Sequence, residues 1–269
     1  MIDLHAHILP RLDDGAETLE ESVEMCRMSY KDGVRTIVAT PHILPGVYKN
    51  NRSTILAKVQ ELNEAIRKFG VGNSEFGAQN PDSMTQQLND PTNGFKILPG
   101  ADVHFSYDLV QLCEDGGVVT VNDKGKYVMV EFDFQGIPYR AEEVLFQLMA
   151  KGIIPIITHP ERNLEIGQRP QRYAEMIRMG CLGQVTAMSL TGGFGSGVKR
   201  TVEKLLENGL VHIIASDTHS MTRRPPILST AVREAEKMVG KEDARRMVVD
   251  CPQAILEGCR PDVPEPIPI

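Results

Sequence analysis

The chain opens MIDLHAHILPRLDDGA, which places His5, His7, Asp13 and Asp14 close behind an apolar start. Residues two apart in a strand share a face, so His5 and His7 aim their imidazoles at one point. The same spacing recurs in HIIASDTH, where Asp217 and His219 face together if the chain stays extended. Between these ends, further apolar runs finish in groups that bind metals or move protons. His42 follows TIVAT, Asp102 follows ILPGA, Glu131 lies in YVMVEF, and PIITHPER supplies His159, Glu161 and Arg162. A lone H-x-H is more often a surface or satisfied core pair than a chelate. Repetition at strand end after strand end is different, because unpaired buried charge costs several kcal/mol per group.

Cations are the natural compensation. Imidazole nitrogens mixed with carboxylate oxygens, and no thiolates, suit Zn²⁺, Mn²⁺ or Fe²⁺. The donors outnumber the ligands of a single tetrahedral ion, so two or three divalent ions sharing carboxylates are expected. Such a centre polarises water and clamps a phosphoryl group, which makes phosphate-ester hydrolysis the leading chemistry. Arg162 beside His159, and Arg223 and Arg224 after SDTHSM, put guanidinium forks next to these groups. Arg162 and Arg224 are the two expected to hold phosphate oxygens. His104 and His212 carry no motif and read as structural, Tyr139 in GIPYR reads as a packed or surface residue, and the scattered methionines read as core filling.

The elements that must position these groups follow from periodicity. Thr18 with Glu21 makes a capping box before a helix carrying Leu19, Val23 and Cys26, stopped near Gly33. VRTIVAT then reads as a buried strand, and Ile55, Val59, Leu62, Ile66 and Phe69 define one helix face ending at Gly70. YVMVEF, IIPIIT, CLGQVTA and VHIIAS are further strands, separated by AEEVLFQLMAKG, a helix with Pro170 in its first turn, and VKRTVEKLLENG. Apolar strands alternating with helices predict an α/β fold with a parallel sheet, closed as a barrel or open and doubly wound. No G-x-G-x-x-G or Walker loop follows a strand, so the barrel is preferred. In either form the strands' C-terminal ends share one face, where the polar groups gather.

Residues 1–258 are expected to form one domain, with a polar excursion over 72–94 and a Pro-rich extended tail over 259–269. The 269 residues are 41% hydrophobic, ample for a sizeable core, and the net charge of −7 argues against nonspecific nucleic-acid binding. Neither a membrane-spanning run nor a signal peptide is read, so a cytoplasmic protein is expected. The five cysteines are scattered, never in C-x-x-C spacing and never followed six positions on by Arg, so a thiolate-phosphatase loop is missing.

In their order along the chain, MIDLHAHILPRLDDGA, ATPH, YVMVEF, ITHPERN, SLTGGFG and ASDTHSMTRRPP resemble the polymerase and histidinol phosphatase (PHP) superfamily, specifically its metal-dependent bacterial tyrosine phosphatases of capsular and exopolysaccharide operons. The likeness covers nearly the whole chain, and the joint set is far more specific than any piece. It implies a distorted seven-stranded (β/α) barrel of PHP type with a trinuclear site at the strands' C-terminal ends, loaded with Mn²⁺ or with Fe, Zn, Co or Mg. Carried over residue by residue, the implied ligands are His5, His7, Asp14, His42, Asp102, Glu131, His159, Asp217 and His219. Arg162 and Arg224 then bind phosphate, and Asp13 is a neighbour. The implied substrate is phosphotyrosine in the tail of a membrane-associated bacterial tyrosine kinase that regulates polysaccharide export, with no nucleic-acid partner and no membrane insertion.

In that scheme a metal-bridging hydroxide attacks phosphorus in line, and the phenolate leaving group, with a conjugate-acid pKa near 10, needs little general acid. Asp14 or His42 can assist. Two departures from the family pattern stand out: Asp102 in PGAD replaces the usual Glu of a PGQE-like turn, one methylene shorter, and the 72–94 excursion is longer than the family norm. Competing readings are a small-molecule phosphatase of histidinol-phosphate type, a polymerase-linked 3′–5′ exonuclease, and a metal-binding regulatory protein that has lost turnover.

Overall fold

Apolar strands and amphipathic helices alternate along residues 1–71 and 94–267, which the computed structural model describes. In order these are β1 (Ile2–Ala6), α1 (Leu19–Lys31), β2 (Thr36–Ala39), β3 (His42–Ile43), α2 (Arg52–Lys68), β4 (Lys96–Pro99), β5 (Asp102–His104), α3 (Leu109–Glu114) and β6 (Tyr127–Glu131). There follow α4 (Ala141–Ala150), β7 (Ile154–Thr158), α5 (Leu164–Gln168), α6 (Gln171–Met179), β8 (Leu182–Thr186), α7 (Ala187–Leu190) and α8 (Ser196–Glu207). The last are β9 (Ile213–Ala215), α9 (Ser229–Val239), α10 (Lys241–Val248) and α11 (Asp250–Glu257). The expected 72–94 excursion lies outside the described residues except for Gly94.

The helix ends follow local chemistry. Thr18 caps α1 by accepting from the Glu21 amide at 3.1 Å, while the Glu21 carboxylate reaches back to the Glu17 amide at 2.9 Å. On α2 the buried face is Ile55, Val59, Leu62 and Ile66, as the periodicity predicts. Phe69, expected on that face, is instead the C-cap and is about half exposed. Gly70 turns the chain through a left-handed conformation, and Val71 takes the buried place, its amide bonding the Ile66 carbonyl at 3.0 Å.

Every named strand pairing is parallel, and the strands form two sheets, β1-β2-β4 and β3-β5-β6-β7-β8-β9. The sequence-based picture of one continuous sheet is corrected where β2 steps into β3 across Thr40–Pro41, and β4 into β5 across Gly100–Ala101. Proline lacks the N–H that a ladder needs, and a Cβ on Gly100 would lie 2.6 Å from Val38 Cγ1, so the chain passes too closely for a side chain. At the other edge, the Asp217 amide bonds the His5 carbonyl at 2.8 Å and the His7 amide bonds the Thr218 carbonyl at 2.9 Å.

One apolar cluster lies between strands and helices, and a second gathers Leu4, Val38, Met129, Ile156, Leu182 and Ile213, floored by Cys251, Ile255 and Leu256 of α11. Past α11 the described residues of the tail, to Ile267, form no helix or strand, and are tied by Tyr127 Oη donating to the Cys259 carbonyl and the Ile267 amide donating to that of Asn208. Among the described residues no helix is long and apolar enough to cross a membrane.

Candidate metal centre

His5 and His7 leave the end of β1 with their Nε2 atoms 3.0 Å apart, both side chains fully buried. Their other nitrogens are committed. His5 Nδ1 donates to Gln184 Oε1 at 2.8 Å, and His7 Nδ1 to the Asp13 carboxylate at 2.6 Å. Each Nε2 is therefore left with a lone pair, and two lone pairs converge where only a cation relieves them. Asp13 is held for this work by the amides of Gly15 and His42, both at 3.0 Å. Gly15 packs so tightly that an added Cβ would lie 2.2 Å from the His7 carbonyl oxygen.

The ends of β3, β5, β6 and β7 close the opposite side. Asp102 Oδ2 lies 3.5–3.7 Å from His5 Nε2, His42 Nδ1 and His159 Nε2, while Glu131 reaches His42 at 3.5 Å and His159 at 3.4 Å. Asp102 Oδ2 and His42 Nδ1 are both buried without a hydrogen-bond partner. Thr158 Oγ1 donates to Asp102 Oδ1 at 3.1 Å, which fixes the carboxylate and leaves Oδ2 free to face the imidazoles.

Past β9 the chain kinks. Asp217 takes φ 51°, so the extended arrangement expected for Asp217 and His219 is not formed; His219 Nδ1 folds back onto the Asp217 carbonyl at 3.0 Å. Both side chains still join the cluster, with Asp217 Oδ1 3.5 Å from the Nε2 of both His5 and His7, and His219 Nε2 3.5 Å from Asp14. His159 is also left-handed, at φ 34°. Such conformations are costly for residues other than glycine, and here both fall where strands deliver side chains to the centre.

Two guanidiniums converge on the remaining oxygen. Arg162 Nη1 donates to Asp217 Oδ2 at 3.0 Å, Arg224 Nη2 bonds the same atom, and both Nε–H groups are buried without partners. Aromatic rings hold the pair, since Arg162 lies 5.3 Å from the ring centres of both Phe134 and Phe194, and Arg224 lies 5.7 Å from Phe194.

Burial sets the protonation. It pushes His5 down to about 4 and His7 and His159 well below the usual histidine value, so these imidazoles are neutral and ligand-ready. Burial, reinforced by Glu131 and Asp217, raises Asp102 well above the usual carboxylate range. At Asp217 burial acts the same way, but Arg162, His5 and Arg224 outweigh it and hold the carboxyl well below that range.

The nine side chains expected as ligands thus meet in one contiguous cluster, and three overlapping groups have metal-binding spacing: His7, Asp14, His42 and His219; His5, His7 and Asp102; His42, Asp102 and Glu131. Glu161 turns away, accepting from the Thr186 amide and Ser189 Oγ. His212 serves the fold by accepting from the Gly183 amide, whereas His104 stands at the rim 3.8 Å from Glu131. Tyr139 is a surface residue. All five cysteines are free and none joins the centre.

A parallel α/β fold whose strand ends present buried imidazoles, carboxylates and paired guanidiniums defines the metal-dependent phosphatase class. The sequence model for capsular polysaccharide synthesis, CpsB/CapC, matches residues 1–73 and 72–257. The chain belongs to this family. It is 34% identical over 242 residues to the tyrosine-protein phosphatase YwqE of Bacillus subtilis (strain 168), covering 90% of this chain and 86% of that protein. It is 29% identical over 261 residues to the tyrosine-protein phosphatase CpsB of Streptococcus pneumoniae, covering 95% and 98%. A chain from the crystal structures of YwqE and CpsB, unique metal-dependent tyrosine phosphatases, superposes with a TM-score of 0.88 at 33% identity, covering 100% of this chain and 99% of that one.

Proposed function

We propose that this chain is a metal-dependent protein-tyrosine phosphatase of capsular or exopolysaccharide synthesis, hydrolysing phosphotyrosine in the tail of a bacterial tyrosine kinase in the cytoplasm. The observation that carries this is the meeting of lone-pair-bearing His5 and His7 with Arg162 and Arg224 across one carboxylate, Asp217. Neutral imidazoles and buried carboxylates fit divalent cations, and the unpartnered Asp102 Oδ2 and His42 Nδ1 are the groups such ions would satisfy. His5, His7, Asp14, His42, Asp102, Glu131, His159, Asp217 and His219 would hold two or three of them, Mn²⁺ first, with Fe, Zn, Co or Mg as alternatives. When bound, they supply Lewis acidity and water acidified towards neutral pH.

The protein's own groups do the rest. Each guanidinium uses one donor on Asp217 and keeps others, including a buried Nε–H, for phosphate oxygens. Phe134 and Phe194 orient both forks before substrate arrives, so less ordering is needed at the moment of binding. Asp14, half exposed with its Oδ1 3.7 Å from His42 Nε2, or His42 itself would be the group that assists the departing phenolate oxygen. Leu4, Val38, Leu98, Met129, Ile156, Leu182 and Ile213 each bring one side chain from a different strand to the second apolar cluster, which supports reading the two sheets as one distorted seven-stave barrel. We take residues 1–258 as one domain built around it.

The test is chelator-stripped protein assayed on a phosphotyrosyl peptide and on histidinol phosphate before and after Mn²⁺ is restored. Recovery on the peptide, with histidinol phosphate a poor substrate, is expected. Preference for histidinol phosphate, or no recovery, contradicts the proposal.

A further inference from the structure

A cavity of about 440 Å³ opens beside the centre, between the Pro160–Arg162 turn with α5 on one side and α8 on the other. Arg162 lines this cavity and also bonds Asp217 in the centre, so a single guanidinium forms part of both walls. Across from it, α8 contributes Arg200 and Lys204, exposed and without an ion-pair or hydrogen-bond partner among the described residues. Neither acid near them forms an ion pair with Arg200 or Lys204. Glu161 Oε1 is taken by the Thr186 amide at 2.9 Å and Ser189 Oγ at 2.6 Å, and its Oε2 is buried without a hydrogen-bond partner, out of reach of a ligand in the groove. Glu165 on α5 is held by Arg172 and by the Ile137 amide, both at 2.9 Å. Leu164 and Val198 add apolar lining.

On a chain whose net charge is −7, a groove that presents two exposed, unpaired cations, Arg200 and Lys204, beside the Asp217-paired Arg162 selects its occupant by charge. The volume holds a few side chains. We infer that this groove binds the acidic segment flanking the phosphotyrosine of the substrate protein, with Arg200 and Lys204 pairing its carboxylates while Arg162 turns towards the phosphate. The inference rests on the phosphotyrosine reading above and specifies which sequence around the phosphotyrosine is preferred.

Two phosphotyrosyl peptides, one with Asp and Glu flanks and one with Asn and Gln, are compared on the Mn²⁺-loaded wild type and on Arg200→Ala/Lys204→Ala. The wild type is expected to favour the acidic peptide roughly five- to tenfold in kcat/KM, mainly through KM, which is the scale of a few screened ion pairs. In the double variant the preference collapses towards one, and in Arg200→Glu/Lys204→Glu it inverts. Equal kcat/KM for both peptides on the wild type, or an acidic preference that survives charge reversal, overturns the groove assignment alone. Failure of the wild type to turn over either peptide overturns the phosphatase reading, and the groove with it.

Discussion

His5 Nε2 and His7 Nε2 face each other at 3.0 Å, each leaving its lone pair to the gap because Gln184 and Asp13 accept from the opposite nitrogens. Two neutral bases do not choose to meet this way in a buried site. A divalent ion held by both nitrogens would satisfy the two lone pairs.

Asp13 acts through His7 as a positioning residue. Asp13→Ala frees the imidazole to rotate or change tautomer, and Mn²⁺ affinity should fall about 10- to 100-fold, measured by competition with a chelator. Unchanged affinity would show that His7 is oriented by something else.

Gly15 brings Asp13 within reach. In Gly15→Ala the new Cβ would meet the His7 carbonyl oxygen at 2.2 Å and His7 Cβ at 2.7 Å, and neither can give without moving β1's end. A loss of about 1–3 kcal/mol in urea denaturation is expected, together with weaker Mn²⁺ binding. Wild-type behaviour in both measurements would mean the loop relaxes freely.

Much of this cluster is legible in the sequence because imidazoles and carboxylates are conspicuous where burying them is expensive. His5 and His7 declared themselves by a spacing of two in an apolar strand, and His42, Asp102, Glu131 and His159 by ending apolar runs. What stayed hidden depends on non-local register. Gln184 and Thr158 are polar residues inside apolar strands, a visible signal, but their task arises because Thr158 pairs with Gln184 across β7 and β8, above Asp102 and His5. Phe194 lay in the quoted SLTGGFG stretch, yet nothing local says that it stacks on two arginines 32 and 30 residues away in opposite directions. The kink at Asp217 and the sheet steps at Thr40–Pro41 and Gly100–Ala101 come from packing, which periodicity alone does not report.

Phe194 is predicted to tune phosphate binding. Phe194→Leu removes stacking from both Arg162 and Arg224, and kcat/KM on a phosphotyrosyl peptide should fall about tenfold, with Phe194→Tyr restoring it and Mn²⁺ affinity unaltered in both. Equal kcat/KM in wild type and Phe194→Leu would place the arginines' rigidity elsewhere.

His212 links stability to pH away from the centre. Burial lowers it from 6.5 to about 4, and its neutral Nδ1 accepts from the Gly183 amide at 2.9 Å. Below 6.5 the unfolded chain takes up the proton first, so the contribution is complete above that pH and is lost as pH falls towards 4, about 3 kcal/mol in all. His212→Gln keeps an acceptor but cannot titrate. Its stability gap from wild type, measured by urea denaturation, should narrow between pH 7.5 and 4.5; a gap independent of pH would contradict the assignment.

The most direct measurement is anomalous diffraction at the manganese edge from crystals grown with Mn²⁺. Two or three peaks are expected among His5, His7, Asp14, His42, Asp102, Glu131, His159, Asp217 and His219, one of them about 2.1 Å from both His5 Nε2 and His7 Nε2. Full activity on phosphotyrosine in crystals or solution where no peak lies between those two nitrogens would contradict the metal centre.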